Sequence, residues 1–433
     1  MVYTAVRPFA SWSLGHYFKR IDIANAERIP KNAAVILAAN HPTTFVEPCV
    51  LACYLKDPLH FLVRGDFFKN PIASALLKSV NLIPVYRRQD AGYEGVKSNF
   101  KAFERSSELL AQRKLLMILA EGRCIHEKRL RPIQKGPARI ALQALANTDL
   151  EEVYVVPVGC NFRYPDRVQS DIMISFGEPI KTSVYREQFA EAPAVAIGAF
   201  TKELERRMAQ EVIIIDELDD ELLTEHFHQL YRSENATQHL TGWGTDHAHF
   251  AAEKTIANTV NALSETEKKP LREQCYQYFT RLARMRTTDA AFKGNYKKES
   301  RQTAFVLLGL IPAVLLAILH LPLLFFIQHF SGVKVKTVEF ANPVRWAGML
   351  IGYLLTAIIC LVLAAILWSP WPVLWITLTI GGIPFLVRYH RVATRWLLHW
   401  RMRRQADHEV KYLRAIRKEL VATGKQWWTP KNG

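Results

Sequence analysis

The chain has 433 residues, enough for two or three domains, and 49% of them are hydrophobic. Its 56 Lys and Arg against 40 Asp and Glu leave a formal charge of +16, a balance suited to nucleic acid, an anionic membrane face or phosphorylated substrates. Long apolar segments favour the membrane face over nucleic acid, and six cysteines without a CxxC pair or a disulfide-like spacing exclude a stapled secreted scaffold.

Residues 1–30 lack the clean apolar core of a signal peptide, because Arg7 and Pro8 interrupt it. Val6, Phe9, Trp12, Leu14 and Tyr17, set among Arg7, Lys19 and Arg20, predict a short amphipathic helix. It would lie on a membrane surface or pack on its own domain.

Residues 31–185 alternate apolar runs with helical stretches. The runs "AAVILAA" (33–39), "LHFLV" (59–63), "NLIPVY" (81–86), "LLMILA" (115–120), "VYVVPVGC" (153–160) and "DIMISFG" (171–177) read as strands. Helices are predicted at 43–55, 71–79, 92–112 and 137–146. Several intervals are long enough for a crossover helix, so the pattern predicts an α/β domain with a mainly parallel central sheet flanked by helices. In such sheets, sites gather beyond the carboxyl ends of the strands.

Residues 186–300 read as a mostly helical, polar appendage with an acidic patch, "DELDDELL" (216–223). They carry His226, His228, His239, His247 and His249, read as surface histidines; no cysteine or second carboxylate stands near "DHAHF" at a metal-ligand spacing.

Residues 301–390 are the expected membrane region. The stretch 303–327 has no Asp, Glu, Lys or Arg, but Pro312 and Pro322 interrupt it, so a re-entrant hairpin is expected there. Residues 346–387 also lack a formal charge and break at "SPWP" (369–372), suggesting two passes joined by a turn. Lys293, Lys297, Lys298 and Arg301 precede the region, and "RYHRVATRWLLHWRMRR" follows from Arg388. Both flanks should therefore be cytoplasmic, which demands an even number of crossings: 303–327 would be re-entrant and the last two segments would cross. A simpler alternative is two crossings, with 371–387 only dipping into the bilayer. Residues 391–433 form a basic cytoplasmic tail, and in a bacterium the membrane would be the inner one.

The chemistry begins at "ANHPTTFVEP" (39–48), directly after the first strand. Pro42 suits a helix start, and Glu47 in that helix would come within reach of His41. A carboxylate bonded to one imidazole nitrogen supports the charge formed when the other nitrogen takes a proton. Two later strands also end in charge, at Arg87-Arg88 and at Glu121-Gly122-Arg123, and many cations follow the second. Cations near such a histidine suit an anionic substrate, most simply a phosphate.

These elements resemble, in order, the motifs of the glycerolipid acyltransferase family. "NHPTTFVEP" is similar to its first motif, N-H-x4-D. It is nearer still to the H-x-N-x-F-x-D-P pattern of a branch resembling the glycerol-3-phosphate/dihydroxyacetone-phosphate acyltransferases, with Glu47 in place of aspartate. "NLIPVYR" resembles G-x-x-F-I-x-R, with Asn81 and Pro84 replacing glycine and phenylalanine and Arg87 at the arginine. "LAEGRC" resembles F-P-E-G-T-R/S, with Ala120 for the proline and Arg123 one position early; "VVPVGCNF" resembles V-P-V around Pro157. The likeness covers about residues 1–185.

The resemblance implies a membrane-bound enzyme of phospholipid synthesis. His41 would be the general base on the acceptor hydroxyl, which attacks the thioester of acyl-CoA or acyl-carrier protein, and Glu47 would orient His41. Arg87, Glu121, Gly122 and Arg123 would hold the phosphate and backbone of glycerol-3-phosphate or a lysophospholipid, with Lys135 and Arg139 as further phosphate ligands. The family implies no metal, no cofactor beyond the acyl donor, no covalent acyl-enzyme and no nucleic acid partner. The competing readings are an inactive lipid-binding or scaffold protein that keeps the fold, favoured by the motif departures, and a transporter, disfavoured by the lack of intramembrane charge.

Overall fold

The structure, a computed structural model, describes residues 2–86, 101–235, 242–293, 299–334 and 337–428. Its contacts divide the chain into two units. One comprises Met1–Val212, Thr241–His247 and Val335–Trp346; the other comprises Ile213–Leu240, Ala248–Lys334 and Ala347–Gly433.

The strands of the first unit are β1 (Arg20–Ala24), β2 (Ala34–Ala39), β3 (Leu59–Arg64), β4 (Leu82–Val85), β5 (Leu115–Leu119), β6 (Val153–Phe162), β7 (Asp171–Phe176), β8 (Ile180–Lys181) and β9 (Gly242–Gly244). All six predicted strands are present; β1, β8 and β9 were not read as strands. The sheet order is β4-β3-β5-β2-β6-β7-β1-β9, with β8 on β6. Every pairing is parallel except those of β6 with β7 and β8. The mainly parallel α/β reading therefore holds.

Helices α1 (Val2–Tyr17), α2 (Val46–Tyr54), α3 (Pro71–Ser79), α4 (101–111), α5 (Gly136–Asn147), α6 (Arg186–Glu191) and α7 (Pro193–Glu211) complete this unit's main helices. The predicted helix at 92–112 is described only from residue 101 onward. All six residues of β2 are buried, as expected of a parallel strand covered on both faces. Ala138, Ala141 and Ala144 of α5 let that helix approach Ile36 and Ala38 closely, and Phe200, Leu204 and Met208 of α7 fill the same cluster. Helix α1 packs on its own domain. Leu14 and Tyr17 are buried, while Phe9 and Trp12 face outward.

Pro157 sits mid-strand, where a missing N–H is normally costly. Its outer edge falls between two ladders: β8 pairs with Tyr154 and Val155, and β7 begins at Val158. The Val158 carbonyl faces β2, where it accepts the Asn40 N–H, so the nitrogen of Pro157 faces the gap. Gly159 is required for close approach: a Cβ there would lie 1.8 Å from the Glu211 carbonyl oxygen.

The second unit is helical: α8 (Glu221–Glu234), α9 (Ala248–Ala262), α10 (Glu265–Arg284), α11 (Asp289–Lys293), α12 (Glu299–Lys334), most of α13 (Val338–Leu367), α14 (Trp371–Arg403) and α15 (Asp407–Trp428). Two of its histidines are not on the surface, contrary to the sequence reading. His228 is buried with Nε2 2.9 Å from the Glu253 carbonyl, and His226 stacks on Phe279 at 4.0 Å. They lie on the inner face of α8, whose periodicity places them beside Leu223, Phe227 and Leu230. His239 lies outside the described residues. A buried clamp joins distant helices: Arg417 donates to both Asp289 oxygens at 2.7 and 3.0 Å, and the Tyr278 hydroxyl donates to Asp289 at 2.5 Å.

Among the described residues, three helices are long and apolar enough to cross a membrane: Arg301–His329, Val338–Ile366 and Trp371–Arg403. The re-entrant hairpin expected at 303–327 is absent; α12 runs unbroken through Pro312 and Pro322. In an apolar medium every N–H and C=O must be satisfied within the segment, so a helix that forgoes a bond at proline is less costly than an open loop. The uncharged part of α14, residues 371–387, spans only about 26 Å at 1.5 Å per residue, less than the ~30 Å hydrocarbon core.

Gly159→Ala is expected to destabilise the protein by about 2 kcal/mol or more, because the backbone of Glu211 must move. Gly136→Ala, where a Cβ meets nothing within 4 Å, should leave the unfolding transition unchanged or slightly raised. Thermal unfolding of the two variants side by side checks this.

Candidate active site

Strands β4, β3, β5, β2 and β6 run parallel, so their carboxyl ends share one edge of the sheet. β2 ends at Ala39 and delivers Asn40 and His41 to that edge. Asn40 is buried and locks the strand end to β6. Its side chain donates to the Cys160 carbonyl at 3.0 Å and accepts from the Cys160 N–H at 2.6 Å. Residues 42–45 then bend, and α2 begins at Val46 rather than at Pro42.

Glu47 falls in the first turn of α2, where the helix dipole favours a carboxylate. It is fully buried, and its two oxygens accept the Thr43 N–H at 2.6 Å and the Thr43 hydroxyl at 2.7 Å. His41 Nδ1 is 3.9 Å from Glu47 Oε1, close enough for charge to be felt but wider than a hydrogen bond. That nitrogen is buried and has no hydrogen-bond partner.

The loop after β5 faces the same place. Glu121 is buried, and its carboxylate accepts the His41 N–H at 3.0 Å and the Arg131 N–H at 3.1 Å. The Ile125 N–H in turn donates to the His41 carbonyl at 3.3 Å. Both backbone polar groups of His41 are thus held by the loop after β5. Gly122 has φ +69°, a left-handed conformation that glycine takes without cost. Asn81, where the family has glycine, has φ +65°; asparagine is among the few other residues that tolerate this region. Pro84 lies on β4, the last strand at its end of the described sheet order, where a missing donor matters least.

The segment 337–346 closes the arrangement from far along the chain. The Glu339 carbonyl accepts the Thr44 N–H at 3.3 Å and the Thr44 hydroxyl at 3.0 Å, and Glu339 Oε1 accepts the His126 N–H at 3.1 Å.

Burial shapes the electrostatics. It pushes the Glu121 carboxyl up, against the two backbone N–H bonds and the charges of His41 and Arg131. It pushes the Cys124 thiol up to about 12, and the Cys49 and Cys160 thiols upward too, so none is a ready thiolate nucleophile. It also lowers His126 to about 4, helped by Lys128 and opposed by Glu339, Asp166 and Glu47.

The structure therefore brings His41, Glu47, Glu121 and Gly122 together. Arg123, Lys135 and Arg139 are exposed; Lys135 and Arg139 belong to the start of α5, which returns from the same edge. Arg87, with Arg88, lies outside the described residues. Thr43, Thr44, Arg131 and Glu339 were not singled out in the sequence. Arg131 Nη1 is buried without a hydrogen-bond partner, although its backbone N–H is held by Glu121. A trace of Glu339 was visible as an acid at the head of an apolar span. Nothing local ties it to Thr44.

The parallel α/β sheet thus carries a histidine and two buried carboxylates at its carboxyl edge. The family model described as Acyltransferase matches residues 20–161. No curated protein matches the chain. Among solved structures, it is similar to the crystal structure of the 1-acyl-sn-glycerophosphate (LPA) acyltransferase PlsC from Thermotoga maritima. The identity is 15%, over 48% of this chain and 79% of that one, with a TM-score of 0.35. The chain carries an acyltransferase domain over residues 20–161.

Thr43→Val should cost about 1–3 kcal/mol in unfolding free energy, since a buried Glu47 oxygen loses its donor. A separate test concerns pH. His126 is depressed in the folded protein, so the unfolded chain binds the extra proton between about 6.5 and about 4. Stability should fall as pH drops through that window, and His126→Gln should fall less. Melting temperatures measured across it check the difference.

Proposed function

We propose that the chain transfers a fatty acyl group from acyl-CoA or acyl-carrier protein to a hydroxyl of glycerol-3-phosphate or a lysophospholipid, with His41 as general base. The observation that carries this is the placement of His41. It stands at the carboxyl end of β2 with its N–H and carbonyl held by Glu121 and Ile125 and its imidazole beside buried Glu47. Nε2, the ring nitrogen away from Glu47, takes the acceptor hydroxyl proton as the oxygen attacks the thioester carbonyl. The thiolate then leaves and accepts that proton. The negative Glu47 stabilises the imidazolium through 3.9 Å rather than through a hydrogen bond. No metal, cofactor or covalent acyl-enzyme is needed for these steps.

The acceptor phosphate is assigned to Arg87, Arg123, Lys135 and Arg139, with Gly122 allowing backbone approach. Arg131 joins them, because its guanidinium has a buried nitrogen still without a partner. Glu121 shapes this region through the two loops it joins. The apolar helices support a bilayer-bound enzyme, and the basic flanks support a catalytic domain on the cytoplasmic face, with α13 and α14 as the two crossings.

The test is acyl transfer by the purified chain with a labelled palmitoyl donor, offering glycerol-3-phosphate, dihydroxyacetone phosphate and lysophosphatidic acid in turn. His41→Ala should lower the rate by about 100-fold or more. Glu47→Ala should cost more than Glu47→Asp; if both match the parent chain, Glu47 has no catalytic role. Arg131→Met, which keeps the backbone bond to Glu121, should raise KM for the phosphorylated acceptor. Full activity of His41→Ala would leave the inactive lipid-binding reading in its place.

A further inference from the structure

We propose that Glu339, some three hundred residues from the histidine in sequence, is a positioning residue for His41, and that residues 337–346 belong to the catalytic domain. The proposal rests on the acyl-transfer reading of His41.

Two irregular loops meet at the site. One carries His41 to Phe45, between β2 and α2; the other runs on from Glu121, after β5. Glu339 holds both: its carbonyl takes the N–H and hydroxyl of Thr44, and its carboxylate takes the N–H of His126. Thr44 is next to Thr43, which grips Glu47. His126 is next to Ile125, which donates to the His41 carbonyl. Two supports of His41, the Ile125 N–H and the Thr43 that grips Glu47, are therefore one residue away from a bond to Glu339.

The segment is seated firmly enough to act this way. Asn342 is buried; it accepts the Tyr17 hydroxyl at 2.8 Å and donates to the Arg167 carbonyl at 3.0 Å. Trp346 is buried too, donates to Ser13 Oγ at 3.0 Å and lies with its ring 6.5 Å from that of Phe45. Arg345 donates to the Asp166 carbonyl at 3.2 Å. These bonds tie the head of α13 to α1, to the bend before α2 and to the loop before β7.

The remainder of α13 is still long enough to cross a bilayer. Past Trp346, the candidate span runs on to Ile366, about 20 residues or ~30 Å of helix, the thickness of a hydrocarbon core. The head of α13 thus holds the active-site loops with residues that a crossing does not require. A misplacement of about 1 Å in such loops costs on the order of 100-fold in rate, so an anchor here acts on turnover.

The experiment uses the full chain in detergent or nanodiscs, with labelled palmitoyl donor and the acceptor it prefers. Glu339→Ala keeps the carbonyl for Thr44 but removes the acceptor for the His126 N–H. It should lower kcat about tenfold while KM for both substrates stays within about twofold. Glu339→Gln keeps an acceptor oxygen and should recover most of kcat. Thr44→Val removes the hydroxyl bond to the Glu339 carbonyl and should lower kcat. The double variant should lose less than the product of the two single losses. The proposal is overturned if Glu339→Ala turns over like the parent chain, if only KM changes, or if Glu339→Gln is no better than Glu339→Ala. If Glu339→Ala does not fold, an unchanged kcat in Thr44→Val overturns it. His41→Ala, run in parallel, separates the two claims. Activity retained there removes the catalytic reading itself, whereas a neutral Glu339 in a His41-dependent enzyme removes only the positioning role.

Discussion

Where parallel strands end, the chain must turn through irregular backbone whose N–H groups no longer have a ladder to join. Left buried and unpaired, each such group costs about 1–3 kcal/mol. In this protein three glutamates take them. Glu47 accepts from Thr43, Glu121 from His41 and Arg131, and Glu339 from His126. The carboxylates do not stand beside the site as spare charges. They are the reason that three stretches of loop hold one shape around one histidine.

That requirement explains the chemistry around His41. Glu47 is committed to Thr43, so in the proposed reaction it would act on the imidazole by its field at 3.9 Å. Burial keeps the Cys49, Cys124 and Cys160 thiols protonated. The same burial raises Glu121, which tolerates it because both oxygens are hydrogen-bonded by backbone.

Much of this domain was legible from one sequence. The six apolar runs became strands, since a buried parallel strand is apolar along its whole length and has little else it can form. Asn81 and Pro84, which depart from the family pattern, sit where a left-handed turn and an edge strand admit them. Short strands without an apolar run were not legible: β8 has two residues and β9 three, and their strand character comes only from a neighbour. The apolar stretch 303–327 forms one helix rather than the expected hairpin, because a helix can run through Pro312 and Pro322 with only a local loss of backbone bonding. His226 and His228 misled because polarity suggested the surface, whereas a stacked ring and a carbonyl partner make burial affordable.

By itself the sequence determined which residue types stand at the strand ends, that the domain is α/β, and that apolar helices follow it. Those properties are local, set by side-chain period and by the few residues a turn accepts. Only the tertiary structure decided who holds whom. Glu121 binding the His41 backbone, Glu47 facing Thr43, and Glu339 reaching Thr44 and His126 each depend on chain segments that meet after folding. A hydrogen bond between such segments leaves no spacing in the sequence, because its geometry belongs to the sheet edge and not to either strand.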